Sequence, residues 1–310
     1  MKLITVVTPC FNEAGNVQEL SERLRAVFEK NDGYLWEHLF IDNASTDGTQ
    51  AILRDLASRD PRVKVIFNRR NFGHVRSPVH GLLQARGDAV VVMASDLQDP
   101  PELIPEFLSK WTSGAPVVLG VKKTSSESPA FYAVRTLYYR LADRLSDVPL
   151  IEHATGFGLY DRTFVEALRQ LEDPFPYVRG LVSDLGFAPE VVPYHQPCRT
   201  RGLTKNNFFT LYDLAMVGIT SHSKLPLRLV TLSGFALSAL SLLVAIGYFV
   251  YKLVFWSRFP AGIAPAVIGI FLLCSFQLFC MGLLGEYVAV IHTRAMKRPL
   301  VVEKERINFD

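Results

Sequence analysis

Val90-Val91-Val92-Met93-Ala94-Ser95-Asp96-Leu97-Gln98-Asp99-Pro100-Pro101-Glu102 is an apolar run that stops on two carboxylates, an amide and a pair of prolines. In an α/β sheet, ligands bind just outside the carboxyl ends of the strands. A strand that ends on Asp96-Leu97-Gln98-Asp99 therefore delivers hard oxygen ligands to the place where a charged substrate would sit. Such ligands suit Mg²⁺ or Mn²⁺. A surface turn is the competing reading, because Asp and Pro are common turn residues.

The segments before this run supply its context. Leu3 to Val7 is continuously apolar, as expected for a strand buried on both faces. Leu39-Phe40-Ile41 reads as a second strand ending at Asp42, Val63 to Phe67 as a third, Ala89 to Met93 as the fourth and Pro116 to Val121 as a fifth. After Asn16-Val17-Gln18-Glu19, which resembles a capping box, Val17, Leu20, Leu24, Val27 and Phe28 recur at helical spacing. Strands separated by helices imply crossover connections, hence an α/β fold with a mostly parallel sheet. Two other strand ends are also polar: Thr8-Pro9-Cys10-Phe11-Asn12-Glu13 and Asp42-Asn43-Ala44-Ser45-Thr46-Asp47-Gly48-Thr49. Any one of these clusters is an ordinary cap or turn. Three at successive strand ends are what a site at the rim of a sheet requires.

Composition adds a second theme. Of 310 residues, 49% are apolar, and the net charge of +3 is too small to argue for a nucleic-acid partner. The four cysteines show no metal-ligand spacing and no disulfide framework, which makes a reducing compartment the default. The N-terminal run leads straight into a strand, so no signal peptide is expected. Leu229 to Tyr251 and Ala261 to Gly285 contain no charged residue, and each exceeds the ~20 residues that cross a bilayer as a helix. The short connection Lys252 to Pro260 makes them a transmembrane hairpin with both long flanks on one side. Lys224 and Arg228 precede the hairpin, and Arg294, Lys297 and Arg298 follow it. That bias favours the cytoplasmic side for both termini, and an inner-membrane, multi-pass protein. Two buried core helices are the alternative. Phe131 to Leu145 and the stretch from Asn207 to about 218 carry apolar aromatic faces that suit helices at a membrane interface or ordinary core packing.

The combination Thr-Pro-x-Phe-Asn-Glu, Asp-Asn-x-Ser-x-Asp-Gly-Thr, Asn71-Phe72-Gly73 and Ser95-Asp96-Leu97-Gln98-Asp99-Pro100-Pro101-Glu102 resembles the inverting GT-A glycosyltransferases of family 2. The hairpin, with Pro226-Leu227-Arg228 before it and Gly285-Glu286-Tyr287 closing it, makes the chain similar to the polyprenyl-phosphate glycosyltransferases, over nearly its whole length. The resemblance implies a Rossmann-like GT-A catalytic domain over residues 1–224 and a membrane domain over 225–310 ending in a short cytosolic tail.

It also implies roles. Pro9, Asn12, Glu13, Asp42, Asp47 and Ser95 match positions that line the nucleotide-sugar pocket, with Asp42 placed to accept from the base. Asp47 is equally a turn former. Asp96 matches the second acid of the family's Asp-x-Asp motif, which binds the divalent ion beneath the donor's diphosphate, and Gln98 matches the amide beside it. The first acid of that motif is replaced by Ala94. Where many relatives carry Asp-Phe-Arg, this chain has Gly156-Phe157-Gly158, so no catalytic Asp is transferred there; the glycines admit close backbone approach or mark a strand bend. Arg199, Arg201 and Lys205 resemble the segment that holds the acceptor phosphate, with Arg135 a second candidate. Asp99 is the carboxylate nearest the acceptor if a base is used, or it caps the turn at Pro100-Pro101.

The reaction so implied moves a sugar, UDP-glucose-like donors being favoured, from a nucleotide diphosphate to a polyprenyl phosphate in the membrane. A phosphate monoester has its second pKa near ~6 and is already ionised, so no strong general base is needed. A processive family-2 synthase is disfavoured because no tryptophan follows an arginine. A catalytically silent scaffold or lipid-handling protein, motivated by Ala94, is the rival from another class. An isolated two-helix hairpin commonly needs neighbours to pack against, which keeps a homo-oligomer among the expectations.

Overall fold

The computed structural model describes residues 1–124, 154–171, 173–174, 176–197, 225–255, 263–296 and 298–309. Strands β1 (Lys2–Cys10), β2 (Tyr34–Asp42), β3 (Val63–Asn68), β4 (Ala89–Val92), β5 (Val117–Thr124), β6 (Ala154–Asp161), β7 (Glu190–His195) and β8 (Glu303–Ile307) join in an eight-stranded sheet. Its order is β7-β5-β6-β4-β1-β2-β3-β8. Strands β4, β1, β2 and β3 are parallel, with Val7 opposite Val92 and Cys10 opposite Asp42. Strand β6 runs antiparallel to β4 and β5, and β7 parallel to β5. The expected mostly parallel, GT-A-like sheet is present, with a mixed flank.

Helices α1 (Val17–Glu29), α2 (Thr49–Arg59) and α3 (Gly73–Gln84) are the crossovers, and α4 (Ile104–Thr112), α5 (Arg162–Gln170) and α6 (Val178–Asp184) complete the cover. Ile4 and Val6 pack with Leu20 and Leu24 of α1 and Phe107 of α4 on one face. Val7 packs with Val79 and Leu82 of α3 and Phe164 of α5 on the other. Both faces of the parallel strands are thus buried, which is why their sequences are apolar without alternation. Helix α3 lies so close that a Cβ on Gly81 would sit 2.7 Å from Val7 Cγ1.

The chain builds β1, β2 and β3 outward in one direction, then crosses back to place β4 on the other side of β1. That reversal opens a crevice at the carboxyl ends of β1 and β4, the topological switch point of the sheet.

Helices α7 (Leu225–Val254) and α8 (Ile263–Ala295) are of a different kind. Their apolar windows, Leu227–Val244 and Leu272–Thr293, have mean hydropathies of 1.9 and 1.6, and neither is buried within the protein. At ~1.5 Å per residue each helix exceeds the ~30 Å hydrocarbon core of a bilayer. Phe235, Leu243 and Leu278 are 70%, 67% and 68% exposed, surface that water does not tolerate in continuous patches. The reading of these segments as buried core helices therefore fails, and their surfaces point to a membrane. The second helix does not stop at Gly285 but runs on to Ala295, so Glu286 lies inside it. Pro265 falls in its first turn, where no backbone N–H is needed.

Two local expectations change. Asn16 precedes α1 but makes no capping bond; its amide donates to Glu13 Oε2 at 2.6 Å. The residues after α8 are more than a tail of the membrane domain. Glu303–Ile307 is the edge strand β8, antiparallel to β3. Its charged alternation, Glu-Lys-Glu-Arg-Ile, reads as surface because an edge strand lies half in water.

Candidate active site

The loops after β1, β2 and β4 converge, and the backbone there is strained. Asn12, Ala44 and Leu97, one in each loop, have φ of 58°, 62° and 62°. For residues other than glycine this left-handed conformation costs about 1–2 kcal/mol, and such strain concentrates at functional sites.

The first two loops are tied to each other. Asn12 N donates to Ser45 Oγ at 2.8 Å, and Thr46 N donates to Asn12 Oδ1 at 2.8 Å. Glu13 N donates to Thr49 Oγ1 at 2.9 Å, and Ala14 N to Asp47 Oδ2 at 3.3 Å. Asp47 also receives Thr49 N at 3.0 Å, at the start of α2. Burial raises its carboxyl, but these bonds outweigh that effect and leave it below its usual range. Of its two readings, the geometry displays the turn former.

Asp42 is wholly buried and accepts from Ser45 N at 3.1 Å and Gln50 Nε2 at 3.0 Å. Burial pushes its carboxyl up, against those bonds. The residue expected to meet a base edge is here an internal brace of the loop against which a base would lie.

The β4 loop faces the crevice. A cleft of about 490 Å³ is lined there by Pro9, Asp96, Gln98 and Asp99, with Phe157 and Tyr160 of β6 among its apolar walls. Gln98 N donates to Asp96 Oδ1 at 3.2 Å, and Gln98 Nε2 reaches Pro197 O at 3.3 Å. Asp99 is 6% exposed and has both oxygens engaged, by Ala94 N at 2.9 Å and Tyr194 OH at 3.0 Å. Burial raises its carboxyl, against those two bonds. It does not cap the turn at Pro101–Leu103. Each carboxylate oxygen keeps a further lone pair, so beside the role expected of it Asp99 also braces the loop from within. Ser95, within the same loop, is buried.

Asp96 and Gln98 offer one carboxylate and one amide on the cleft surface, and no group of three His, Cys, Asp or Glu residues able to hold an ion occurs among the described residues. That donor set does not fit a free-standing metal cage. It fits Mg²⁺ or Mn²⁺ held chiefly by a ligand's phosphates and water.

The glycines of the Gly156-Phe157-Gly158 segment have separate causes. Gly156, on the cleft wall, has φ +91°. At Gly158 a Cβ would lie 2.4 Å from Val118 O, so β5 and β6 close on each other there. Between them Phe157 is buried against Phe107, at 5.0 Å between ring centroids, and Tyr194, at 5.6 Å.

The cleft lining includes polar residues not expected to belong to it, among them His74, Arg179 and Gln196. Burial against the wall, and then the Arg179 charge, hold His74 below the usual histidine range. His74 directly follows the Asn-Phe-Gly motif, a signal that was available. Arg179, at the start of the short helix α6, has no motif around it. Arg135, Arg199, Arg201 and Lys205, the expected acceptor cations, lie outside the described residues, as do the two expected interfacial helices.

A strained three-loop rim thus borders a switch-point cleft whose surface carries an acid-amide pair. The chain belongs to glycosyl transferase family 2, whose model matches residues 5–169. It is 34% identical to the uncharacterized glycosyltransferase YkcC of Bacillus subtilis, over 99% of this chain and 94% of that protein. It is 33% identical to the SfII prophage-derived bactoprenol glucosyl transferase of Shigella flexneri, over 97% of each chain. It is 30% identical to the prophage bactoprenol glucosyl transferase homolog of Escherichia coli K12, over 97% and 98%. Among solved structures, glucosyl-3-phosphoglycerate synthase from Mycobacterium tuberculosis aligns with TM-score 0.49 and 20% identity, over 71% of this chain and 78% of that one.

Proposed function

We propose that the protein transfers a sugar, with inversion, from a nucleotide-diphosphate sugar of the UDP-glucose type to a membrane polyprenyl phosphate. The observation that carries this reading is the end-to-end similarity to proteins named bactoprenol glucosyl transferase, across both the sheet domain and the two apolar helices. In this reading α7 and α8 cross the inner membrane as a hairpin. Residues 1–224, joined by β8, form the catalytic body on the cytoplasmic face.

The residues divide the work. The β1 and β2 loops, with Pro9, Asn12, Glu13, Asp42 and Asp47, form the wall for the nucleotide. Asp96 and Gln98 would hold the divalent ion, which when bound supplies positive charge against the departing diphosphate. Asp99 and Tyr194 fix the height of that loop. The acceptor phosphate is its own nucleophile, being largely ionised above its second pKa of ~6, so the cleft's task is alignment and exclusion of water. A glycine at position 156 then removes no necessary base. Arg199, Arg201, Lys205 and Arg135 are assigned to the acceptor phosphate, where arginine offers a paired donor fork.

The test is to incubate purified protein with radiolabelled UDP- and GDP-sugars, polyprenyl phosphate and Mg²⁺ or Mn²⁺. A lipid-linked labelled product is expected, with UDP-glucose the best donor. Absence of product from every donor, with metal present, would leave a silent scaffold as the better description. Replacing Arg199 or Lys205 is expected to raise KM for the lipid more than KM for the donor; equal effects on both would remove the acceptor assignment.

A further inference from the structure

Three arginines from separate segments meet where the chain returns from α8. Arg70 follows β3, Arg76 lies in the opening turn of α3, and Arg298 stands between α8 and β8. The Arg70 guanidinium lies 4.1 Å over the Phe72 ring, and that of Arg76 is 5.4 Å from the same ring. Arg76 also donates from Nη2 to the carbonyl of Pro299, which brings the neighbouring Arg298 to its side. The backbone locks the two segments together, with Arg69 N donating to Val302 O at 2.9 Å.

Two features set this cluster apart from an ordinary solvated face. Among the described residues no carboxylate forms an ion pair with any of the three, although eight other arginines have one. Arg76 Nε is buried and has no hydrogen-bond partner among the described residues. Burial, then the charges of Arg70 and Arg298, push the Arg76 guanidinium below its usual range. Like charges are thus held together by a shared aromatic ring and a carbonyl, with no anion among the described residues to neutralise them.

The position of the cluster bears on the kind of anion it would take. The apolar window of α8 ends at Thr293, and the few residues from there to Arg298 reach at most about 18 Å even when fully extended. The arginines therefore stand within range of the headgroup layer. In the proposed function the donor's diphosphate lies at the β1–β4 crevice, which the opening turn of α3 borders through His74 and Val75, whereas Arg76 reaches from that turn to Pro299, beside β3 and β8. Two strand spacings, about 10 Å, separate β1 from β3. Guanidinium forks suit phosphate oxygens.

We propose that Arg70, Arg76 and Arg298 form a binding site for the phosphate of an anionic membrane lipid, separate from the catalytic cleft. The proposal rests on the membrane assignment of α7 and α8, but not on the transfer reaction.

Native mass spectrometry of the delipidated full chain in neutral detergent tests it, with phosphatidylglycerol or phosphatidylcholine added. Phosphatidylglycerol is expected to be retained and phosphatidylcholine lost. Arg70→Gln combined with Arg298→Gln should weaken retention about thirtyfold, the effect of two interfacial charges. High salt should shrink that difference. Arg298→Glu, at an exposed position, should weaken retention while leaving the melting temperature within a few degrees, which separates lost binding from lost folding. UDP and inorganic phosphate, added in excess, should leave the lipid bound. Equal retention of both lipids, a double variant that binds like the parent, or displacement by UDP or by inorganic phosphate would each overturn the site.

Discussion

Asp96 stands where β4 gives way to a loop that is held from below and strained from within. Leu97 is in the left-handed region, and Asp99 is clamped by Ala94 and Tyr194. The loop is therefore shaped before any ligand arrives, so Asp96→Ala should remove the proposed contact to the divalent cation without unfolding the protein. We expect kcat to fall by about 10²–10³ or more, as when a transition-state charge contact is deleted, with the melting temperature nearly unchanged. Turnover at the parental rate would remove the metal role of Asp96. That the Asp-Leu-Gln-Asp stretch would border a cleft was legible because three successive strand ends are polar; taken alone it reads equally as a turn. The role of Asp99 was not legible. Its partner Tyr194 lies on β7, far along the chain, and no local pattern announces that a tyrosine will arrive to occupy a carboxylate. Asp42 and Asp47 illustrate the same limit, since a residue that braces a loop and one that reads a ligand have the same sequence.

At the scale of elements, the turn from α2 into β3 carries a titration. Asp60 is 5% exposed, and hydrogen bonds from Arg62, assisted by its charge and that of Arg25, hold its carboxyl down to about 2 from 3.8. A carboxyl depressed in the folded state stabilises it above the unfolded pKa and loses that contribution as the pH falls through the folded one. Both arginines are half exposed, so the contribution is about 1–2 kcal/mol after screening. Thermal melts between pH 4 and pH 2 should show the parent losing this margin while Asp60→Asn, which lacks it throughout, loses correspondingly less. Parallel slopes for the two proteins would show that the pair contributes nothing.

The edge strand is the element most hidden in the sequence. β8 adheres through Arg54, whose guanidinium grips Glu305 with two bonds of 2.6 Å, and through Asn308, which donates to the carbonyls of Ala57 and Val63 at 2.8 Å. His80 of α3 also pairs with Glu303. Truncation before Glu303 should expose β3 as a new edge, lower the melting temperature by several degrees and promote self-association. An unchanged, monodisperse protein would make β8 dispensable. The central strands and the two long helices were legible because uniform apolarity has few physical explanations. β8 was not, because half-solvated strands near a membrane look like charged tails.

For the whole molecule, the stretch from α8 to β8 sets a distance. Met296 to Val302 joins the end of α8 to the sheet edge, and so short a segment spans at most about 25 Å. If the acceptor's phosphate lies at the bilayer surface, the cleft must stay near that height. Inserting about eight glycine and serine residues between Met296 and Arg298 is expected to lower kcat/KM for a membrane-embedded acceptor at least tenfold, while donor affinity is unchanged. An insertion without effect would show that the long segment before α7 alone carries the catalytic body.

The pairing of β8 with β3 also settles a matter of parity. A chain that departs through α7 and comes back to hydrogen-bond with the sheet it left has traced a closed circuit. Any plane that its helices pierce is pierced an even number of times. Of the two connections between the sheet and the helices, the return from α8 is the shorter, and its seven residues can span no more than about 25 Å.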